Sequence, residues 1–391
     1  MNVRKSLEPI QGSNRDQPEI RAITDRASRE AFIRAPCFVY ADDPHWVAPL
    51  LIERRAALSP KNPFFRHAQW QGWTAWRGGQ AVGRISAQID RFYLQRHDPH
   101  TGFFGMIEAP DDPAVFAALF GAAEAWLRQR GMRRALGPFN LGINQEVGLL
   151  VEGFDSAPYV MMGHGRPWYG PCVEALGYRR EQDLLAYALE VARFSMPETV
   201  RRLLQRQSQG VELRSFRRPH RKRDLGIMRD LFNDAWSNNW GFVPFSEEEF
   251  DAVGRELLML LPDDFIRIAE VHGEAAAFIV LLPNVNEAIA DLNGRLLPFG
   301  RARMLWRLKR RFPGSARVPL MGVRQRYQNT RLGPALAFLL IDGLKAPADR
   351  RGVKRVELSW ILEDNQGMRN ILEKIGAIQS KRYRMYARDL E

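Results

Sequence analysis

One stretch of the sequence combines residue types and a spacing that suit binding of a phosphate group. A short apolar strand from Arg317 to Val323 leads into the turn Arg324-Gln-Arg-Tyr-Gln328-Asn-Thr-Arg331-Leu-Gly333-Pro-Ala335, and an apolar helix follows to about Leu344. A strand, a turn and a helix start direct backbone N–H groups and a positive dipole end at one point. Gly333 would let the backbone approach a pyrophosphate, and Gln328 and Arg331 add donors.

The order of elements after this turn extends the pattern. A strand over Arg355–Leu362 is followed by Glu363-Asp-Asn365 and a helix that ends near Gly376. This order resembles the GNAT superfamily of acyltransferases, whose signature is Gln or Arg, two residues, Gly, one residue, then Gly or Ala. Gln328, Arg331 and Gly333 occupy those places, so an arginine replaces the first glycine. The resemblance implies an acyl-thioester site that uses Val323, Gln328, Arg331, Gly333, Ala335 and Asn365.

The resemblance also implies how catalysis would work. A strand N–H, which we assign to Val323, would polarise the thioester carbonyl, and a base would deprotonate an amine. Glu363 is our candidate base, although capping of the next helix explains it equally well; Glu270 and Glu357 are lower-ranked carboxylates on predicted strands. The tyrosine that often serves as general acid in the family is replaced by Leu372, so a proton donor must come from elsewhere.

The sequence contains an internal repeat. Glu174-Ala-Leu-Gly177 and Glu373-Lys-Ile-Gly376 each end a predicted helix at a glycine, and each is followed at the same distance by a tyrosine in a predicted strand. We therefore predict an α+β or α/β fold of two tandem GNAT-like domains, each a mixed central sheet flanked by helices. The predicted ranges are a disordered terminus at 1–17, a degenerate N-terminal domain at 18–192, a linker at 193–207 and the C-terminal domain with the site at 208–391.

The N-terminal copy lacks the phosphate motif and carries a polar loop instead. Gly137-Pro-Phe-Asn140-Leu-Gly-Ile-Asn144-Gln-Glu146 clusters amide and carboxylate side chains between glycines. Asn140, Asn144 and Glu146 could bind an acceptor amine or diol, or they could satisfy the backbone of their own loop. Trp240 belongs to an aromatic cluster that we add to the acceptor-binding candidates, with packing in the core as the alternative.

Composition limits the environment and the partners. The net charge of +12 and pI near 10 favour acidic partners, namely anionic lipid, coenzyme A or nucleic acid, of which nucleic acid is the least favoured because no nucleic-acid-binding motif is found. The first residues contain no apolar signal segment, so a cytoplasmic location is expected. Cys37, Cys172 and the seven histidines show no metal-site spacing, so no metal is expected.

A basic, amphipathic segment lies between the third and fourth predicted strands of the C-terminal copy. Leu305, Leu308 and Phe312 fall on one helical face, with arginine and lysine side chains around it and Trp306 at its edge. Such a segment suits an anionic membrane surface on the inner side of the membrane. A surface helix with a solvated basic face is the alternative.

Further runs point to one group within the superfamily. These runs are Asn62-Pro-Phe-Phe-Arg-His-Ala68, Gly102-Phe-Phe-Gly105, Gly137-Pro-Phe-Asn140, Glu146-Val-Gly-Leu-Leu, Asn239-Trp-Gly-Phe-Val-Pro244 and Glu357-Leu-Ser-Trp-Ile-Leu-Glu-Asp-Asn365. They resemble a bacterial group of tandem GNAT-like proteins that includes the bacterial ceramide synthases. The resemblance implies transfer of a long acyl chain from coenzyme A or acyl carrier protein to an amino-lipid acceptor. Two alternatives remain: a Fem-like transferase that uses aminoacyl-tRNA, and a non-catalytic protein that binds lipid or acyl thioester.

Overall fold

The structure is a computed structural model that describes residues 17–199, 201–202, 210–296 and 300–391. The predicted disordered terminus, apart from Gln17, lies outside the described residues, as do residue 200 and residues 203–207 of the predicted linker.

Strands β1 to β15 are numbered in chain order. They are Glu19–Ala22, Ala68–Arg77, Gln80–Asp90, Thr101–Glu108, Arg134–Gly137, Phe139–Asn140, Glu146–Val147, Leu149–Glu152, Arg179–Glu190, Val211–Ser215, Ile266–Val271, Glu274–Pro283, Ser315–Val323, Arg355–Leu362 and Ile378–Asp389.

Helices α1 to α13 follow the same convention. They are Arg26–Arg34, Pro36–Val39, Leu51–Ala57, Arg91–Arg96, Pro113–Arg128, Tyr169–Ala175, Arg221–Ala235, Glu247–Leu257, Asn286–Ile289, Gly300–Arg310, Gln325–Gln328, Leu332–Arg350 and Gln366–Lys374.

The strands of both halves join in one sheet. Within the described residues it has 13 strands in the order β1-β2-β3-β4-β5-β15-β9-β14-β13-β12-β11-β10, with β8 beside β15, while β6 and β7 form a separate hairpin. In each half three antiparallel strands lead to a parallel pair, which is β4 with β5 and β13 with β14. The repeated order confirms two tandem GNAT-like units with mixed sheets flanked by helices.

The two halves exchange their last strands. β9, which ends the N-terminal repeat, pairs with β14 of the C-terminal half, and β15, which ends the chain, pairs with β5 of the N-terminal half. β9 and β15 also pair with each other and join the two halves. The predicted boundary near residues 192–208 therefore divides the sequence repeat, whereas the sheet continues across it.

Helix α5, which follows β4 in the N-terminal half, begins at residues that favour the start of a helix. Asp112 caps α5 by accepting from the Ala114 N–H, and Pro113 occupies the first helical position, where its missing N–H costs nothing. One face of α5 is buried against β2 and β3 through Val115, Phe116, Leu119, Phe120, Ala123 and Leu127. Burial of this apolar face, at about 25 cal/mol per Å², is the main force that holds α5 in place.

The corresponding helix of the C-terminal half, α12, is longer than the sequence predicted. It continues past Leu344 to Arg350, with Pro347 inside it. A proline cannot donate to the carbonyl four residues before it, which normally ends a helix. Here the carbonyl of Gly343 accepts instead from Nε of Arg267, at 3.0 Å. A side chain from β11 thus replaces the missing backbone bond, and a helix end at Leu344 is wrong for this reason.

Candidate active site

β13 and β14 run side by side and then part. They are paired from Ser315–Val318 and Arg355–Leu358, after which β13 stays with β12 and β14 stays with β9. A wedge-shaped gap therefore opens between the rest of β13, up to Val323, and the rest of β14, up to Leu362. We call this gap the C-terminal splay. At a rise of about 3.3 Å per residue it extends for roughly 16 Å along β13.

The edge of β13 that faces the splay carries backbone donors. The Arg324 N–H donates to the Ala276 carbonyl of β12, at 2.8 Å. Successive residues of a strand point to opposite edges, so the N–H groups of Val323 and Met321 face the splay. The carbonyls on this edge are already bonded: that of Val323 accepts from Gln328 and that of Met321 from the Trp236 indole, at 2.8 and 3.0 Å. Val323 thus has a backbone N–H on this edge and Met321 has a second one nearer the apex, while the contact of either with a thioester stays a prediction.

The predicted phosphate turn lies at the open end of the splay, but several of its polar groups are hydrogen-bonded within the protein. The Gln328 amide donates to the Ala235 carbonyl, at 2.9 Å, and to that of Val323, so it fastens the turn to the end of α7. Thr330 accepts from the Leu332 N–H, at 3.2 Å, and Pro334 provides no N–H. Arg331 is exposed at the start of α12 and provides a positive charge there.

Gly333 is needed by the turn itself. A Cβ at this position would lie 2.5 Å from the Tyr327 carbonyl oxygen and 2.8 Å from that of Gln328. The glycine therefore lets α12 begin against its own preceding turn, whereas the sequence suggested close approach to a pyrophosphate. Ala335, two residues further along α12, is buried. Their contribution to donor binding stays a prediction.

The residues predicted after β14 are held in place by neighbours. The Asn365 side chain caps α13 by accepting from the Met368 N–H, at 3.0 Å. The Glu363 carboxylate pairs with Arg180 and accepts from the Asp183 backbone N–H, so its charge is compensated by β9. Catalysis by Glu363 stays a prediction, and the geometry gives it a structural task.

The equivalent gap in the N-terminal half is closed. A Cβ on Gly105 would lie 1.7 Å from the Phe139 carbonyl, which shows that the backbones of β4 and β6 touch. Asn140 accepts from the Met106 N–H of β4, at 2.7 Å, and so occupies the edge donor. The start of α5 is occupied by the carboxylate of Asp112. These contacts fill the gap in the N-terminal half, and the predicted lack of a donor site there stays a prediction.

The predicted acceptor residues meet at the seam between the halves. Asn140 donates to Glu146, at 3.1 Å, and Glu146 pairs with Arg54, at 2.5 Å. Asn144 donates to the Val243 carbonyl of the C-terminal half, at 3.1 Å, and Trp240 stacks on Phe139. The structure brings these side chains together, although each polar group already has a partner within the protein. Their role in acceptor binding stays a prediction.

The apex of the splay contains a pair of charged side chains whose pairing the sequence did not predict. Arg317 of β13 lies opposite Glu357 of β14, and the side chains of both are buried. Burial lowers the pKa of Arg317 to about 10 and raises the pKa of Glu357 above its ordinary value. The signal was a lone arginine and a lone glutamate within otherwise apolar strands, but the pairing becomes visible only through the register.

Three features of the described residues bear on binding to membranes and metals. The basic segment forms the helix α10, and Trp306 on it is 60% exposed. No helix in the described part of the chain is long and apolar enough to cross a bilayer. In the same residues no group of three or more histidine, cysteine or carboxylate side chains is arranged to hold a metal ion.

The chain is similar to known proteins over nearly its whole length. No family model matches the sequence. It is 51% identical over 371 residues to Protein YghO of Escherichia coli (strain K12), covering 95% of each chain. It is 46% identical over 385 residues to the bacterial ceramide synthase of Caulobacter vibrioides (strain NA1000 / CB15N), covering 98% of this chain and 100% of that protein. A tandem GNAT protein from the clavulanic acid biosynthesis pathway has the same fold, with a TM-score of 0.53 at 12% identity and coverage of 95% and 99%.

Proposed function

Because the chain belongs to the tandem GNAT-fold acyltransferase family that includes the bacterial ceramide synthase, we propose that it forms an amide between a long-chain acyl group and a long-chain amino base. It is an N-acyltransferase. The donor in this proposal is acyl-coenzyme A or acyl carrier protein. The observation that carries the proposal is the C-terminal splay, which is open while its N-terminal counterpart is closed.

The donor would lie along the free edge of β13. Its pyrophosphate would meet Arg331 and the backbone of the turn up to Ala335, while Gln328 and Gly333 keep the turn in shape. Its arm would follow the N–H groups of Val323 and Met321, with Asn365 across the splay at the start of α13. A thioester near Met321 would have its carbonyl polarised by a strand N–H, as acyl transfer requires.

The acyl chain needs an apolar space beside the thioester. An apolar cavity lies between α7, α8 and the sheet, and Leu320 of β13 forms part of its wall next to Met321. Its other walls include Met228, Phe250 and Val253. The cavity has a volume of about 30 Å³, so a long acyl chain would enter there only by displacing these side chains, and Val253→Trp should shift the preferred donor toward shorter chains.

The acceptor would enter from the seam between the halves. Phe139, Trp240 and Trp360 belong to one apolar cluster that draws on both halves, and a lipid chain would be stabilised against it. Asn140, Asn144 and Glu146 border this cluster and are the polar candidates for the acceptor headgroup.

Peripheral binding to a membrane would supply such an acceptor. α10 presents an exposed Trp306, and its sequence contains five arginine or lysine residues, two of which pair with Asp291. We expect the protein to sediment with vesicles that contain anionic lipid and to be released by salt. Trp306→Ser should weaken this binding, whereas Arg223→Gln, an exposed basic position on α7, should leave it unchanged.

Mass spectrometry of the products tests the proposed function. The purified protein is mixed with short or long acyl-coenzyme A, or with acyl carrier protein, and a long-chain amino base. An N-acylated base formed preferentially with long donors supports the proposal. No amide with any donor would refute it; product that requires aminoacyl-tRNA would identify the Fem-like alternative, and tight donor binding without turnover would identify the binding-only alternative.

A further inference from the structure

Three side chains at the apex of the C-terminal splay form a connected buried chain. Nε of Arg317 donates to Oγ of Ser359, at 2.7 Å, and also faces the Glu357 carboxylate. Arg317 and Glu357 are 0% and 1% exposed, and their closest charged atoms are 3.7 Å apart. Such an arrangement orients the carboxylate from one side.

Each of the two charged side chains retains an unused atom. Among the described residues, Nη2 of Arg317 and Oε1 of Glu357 are buried without a hydrogen-bond partner. An unpaired buried donor or acceptor costs about 1–3 kcal/mol, and more when the group is charged. A fold tolerates this cost where a ligand completes the hydrogen bonds.

The location relates this cluster to the donor. Arg317 and Glu357 lie one position before Val318 and Leu358, the last pair before the strands part. Beyond them β14 bulges, with Trp360 at a φ of 61° and its ring 4.3 Å from the Arg317 guanidinium. Arg317 also donates to the carbonyls of Val160 and Met161, so a loop of the N-terminal half covers the cluster on the acceptor side.

We propose that Glu357 is the general base of the transferase, acting on the acceptor nitrogen directly or through one water molecule. This inference rests on the proposed function. The acceptor arrives as an ammonium ion, and Oε1 of Glu357 takes one of its protons. The freed nitrogen lone pair attacks the thioester carbonyl carbon, the C–S bond breaks, and the remaining excess proton passes from nitrogen to the departing thiolate. Arg317 and Ser359 act as positioning residues for the carboxylate.

The surroundings keep this carboxyl group suited to proton transfer. Arg317 on β13, Lys381 and Tyr383 on β15 and Tyr159 of the covering loop lie near enough to interact electrostatically with Glu357. Burial raises the pKa of Glu357, while the positive charges of Arg317 and Lys381 limit the rise. A base is most effective when its pKa approaches the working pH.

The decisive experiment compares two acceptors of equal chain length. One is an ordinary primary amine, protonated at neutral pH, and the other is an alkoxyamine, whose nitrogen is already neutral. Glu357→Gln should lower kcat at least about 100-fold with the amine, the usual range for loss of a general base. With the alkoxyamine the loss should be under about tenfold. For the wild type, kcat/KM with the amine should fall as the pH drops through the pKa of Glu357, and the variant should lack this step.

Two further variants separate this role from stability. Asp224→Asn removes a different buried carboxylate, paired with Arg214 far from the splay, and should keep the acceptor pattern and the pH profile even where it lowers Tm. Ser359→Ala should shift the acidic step in the pH profile. A wild type that makes no amide defeats the proposed function. An active wild type with Glu357→Gln equally impaired on both acceptors, or unimpaired, overturns Glu357 as base, and loss confined to Glu363→Gln would assign that role to Glu363.

Discussion

The contacts of Gly333 change what a substitution at this residue should do. The sequence predicts that Gly333 lets the backbone approach a pyrophosphate, but the missing Cβ faces the Tyr327 and Gln328 carbonyls. Gly333→Ala should therefore displace the turn by several tenths of an ångström, lower Tm, and weaken donor binding as a consequence. Differential scanning fluorimetry with and without a donor analogue measures both effects.

Gly121 provides the matched control. It lies in the exposed part of α5, and a Cβ there would meet nothing within 4 Å. Gly121→Ala should raise stability by about 0.5–1 kcal/mol, since alanine favours the helix. If Gly333→Ala kept the wild-type Tm and lost only donor binding, the glycine would face the ligand after all.

Residue type and spacing located the turn but could not show how its side chains are used. The positions of Gln328, Asn365 and Glu363 were found from the sequence, and all three lie around the splay. The sequence did not reveal that Gln328 reaches back to Ala235 or that Glu363 pairs with Arg180, because these partners are distant in the chain. A polar side chain near a site is thus predictable, whereas its hydrogen-bond partner depends on the tertiary fold.

At the scale of elements, one splay is open and the other closed. We expect one donor molecule per chain, because the β4 edge is capped by Asn140 and the start of α5 by Asp112. Calorimetric titration with a non-hydrolysable acyl-coenzyme A analogue gives this stoichiometry. A value of two would show that the N-terminal half also binds donor.

A pair of charge reversals locates the single site. Arg331→Glu should weaken binding of the analogue at least about tenfold, since it replaces attraction to phosphate by repulsion at the mouth of the splay. Arg130→Glu makes the same change in net charge at an exposed position of the N-terminal half and should have little effect. Equal losses in both variants would indicate only long-range attraction.

Elements were more predictable than contacts. The strand at Arg355–Leu362 was predicted with the observed bounds because its apolar pattern is bordered by charged residues. The end of α12 was missed, since the compensation of Pro347 by Arg267 involves a residue of another strand. Local sequence patterns thus predict the bounds of an element, except where a side chain that is distant in the chain supplies a missing hydrogen bond.

At the scale of the molecule, a buried histidine ties the halves together. His67 binds Asp90 through Nδ1, at 2.8 Å, and Glu249 of α8 through Nε2, at 3.0 Å. Burial opposes its protonation, but these carboxylates raise the pKa of His67 to about 9. A rise from 6.5 to about 9 corresponds to roughly 3 kcal/mol.

Because folding raises the pKa of His67, the free energy of unfolding depends on pH. A raised folded-state pKa stabilises the fold fully below about pH 6.5, and the contribution disappears as the pH rises through about 9. The difference in unfolding free energy between wild type and His67→Gln should therefore be large at pH 6 and shrink by pH 10. Denaturant titrations at both values test this. A difference that is constant over the range would mean that the ion pairs contribute nothing.

The repeat was visible in the sequence, but the exchange of last strands was not. β9 and β15 carry the same alternation of apolar residues, exemplified by Leu184 and Ala186 in one and Tyr383 and Met385 in the other. Judged by this alternation alone, either strand could be the last strand of either half. The choice depends on packing of the whole sheet, where β9 pairs with both β14 and β15.

This exchange predicts that the halves form one folding unit even when the chain between them is cut. With a protease site inserted near residue 205 and cleaved, the two fragments should stay associated and active, because each half contains a strand bordered by strands of the other. Each fragment expressed alone should lack that neighbour, expose an unpaired strand edge and aggregate. Size-exclusion chromatography of the cut protein, with unfolding followed by circular dichroism, measures this. Fragments that separate without denaturant, or two independent unfolding transitions, would show that the halves are autonomous and the exchanged strands contribute little to stability.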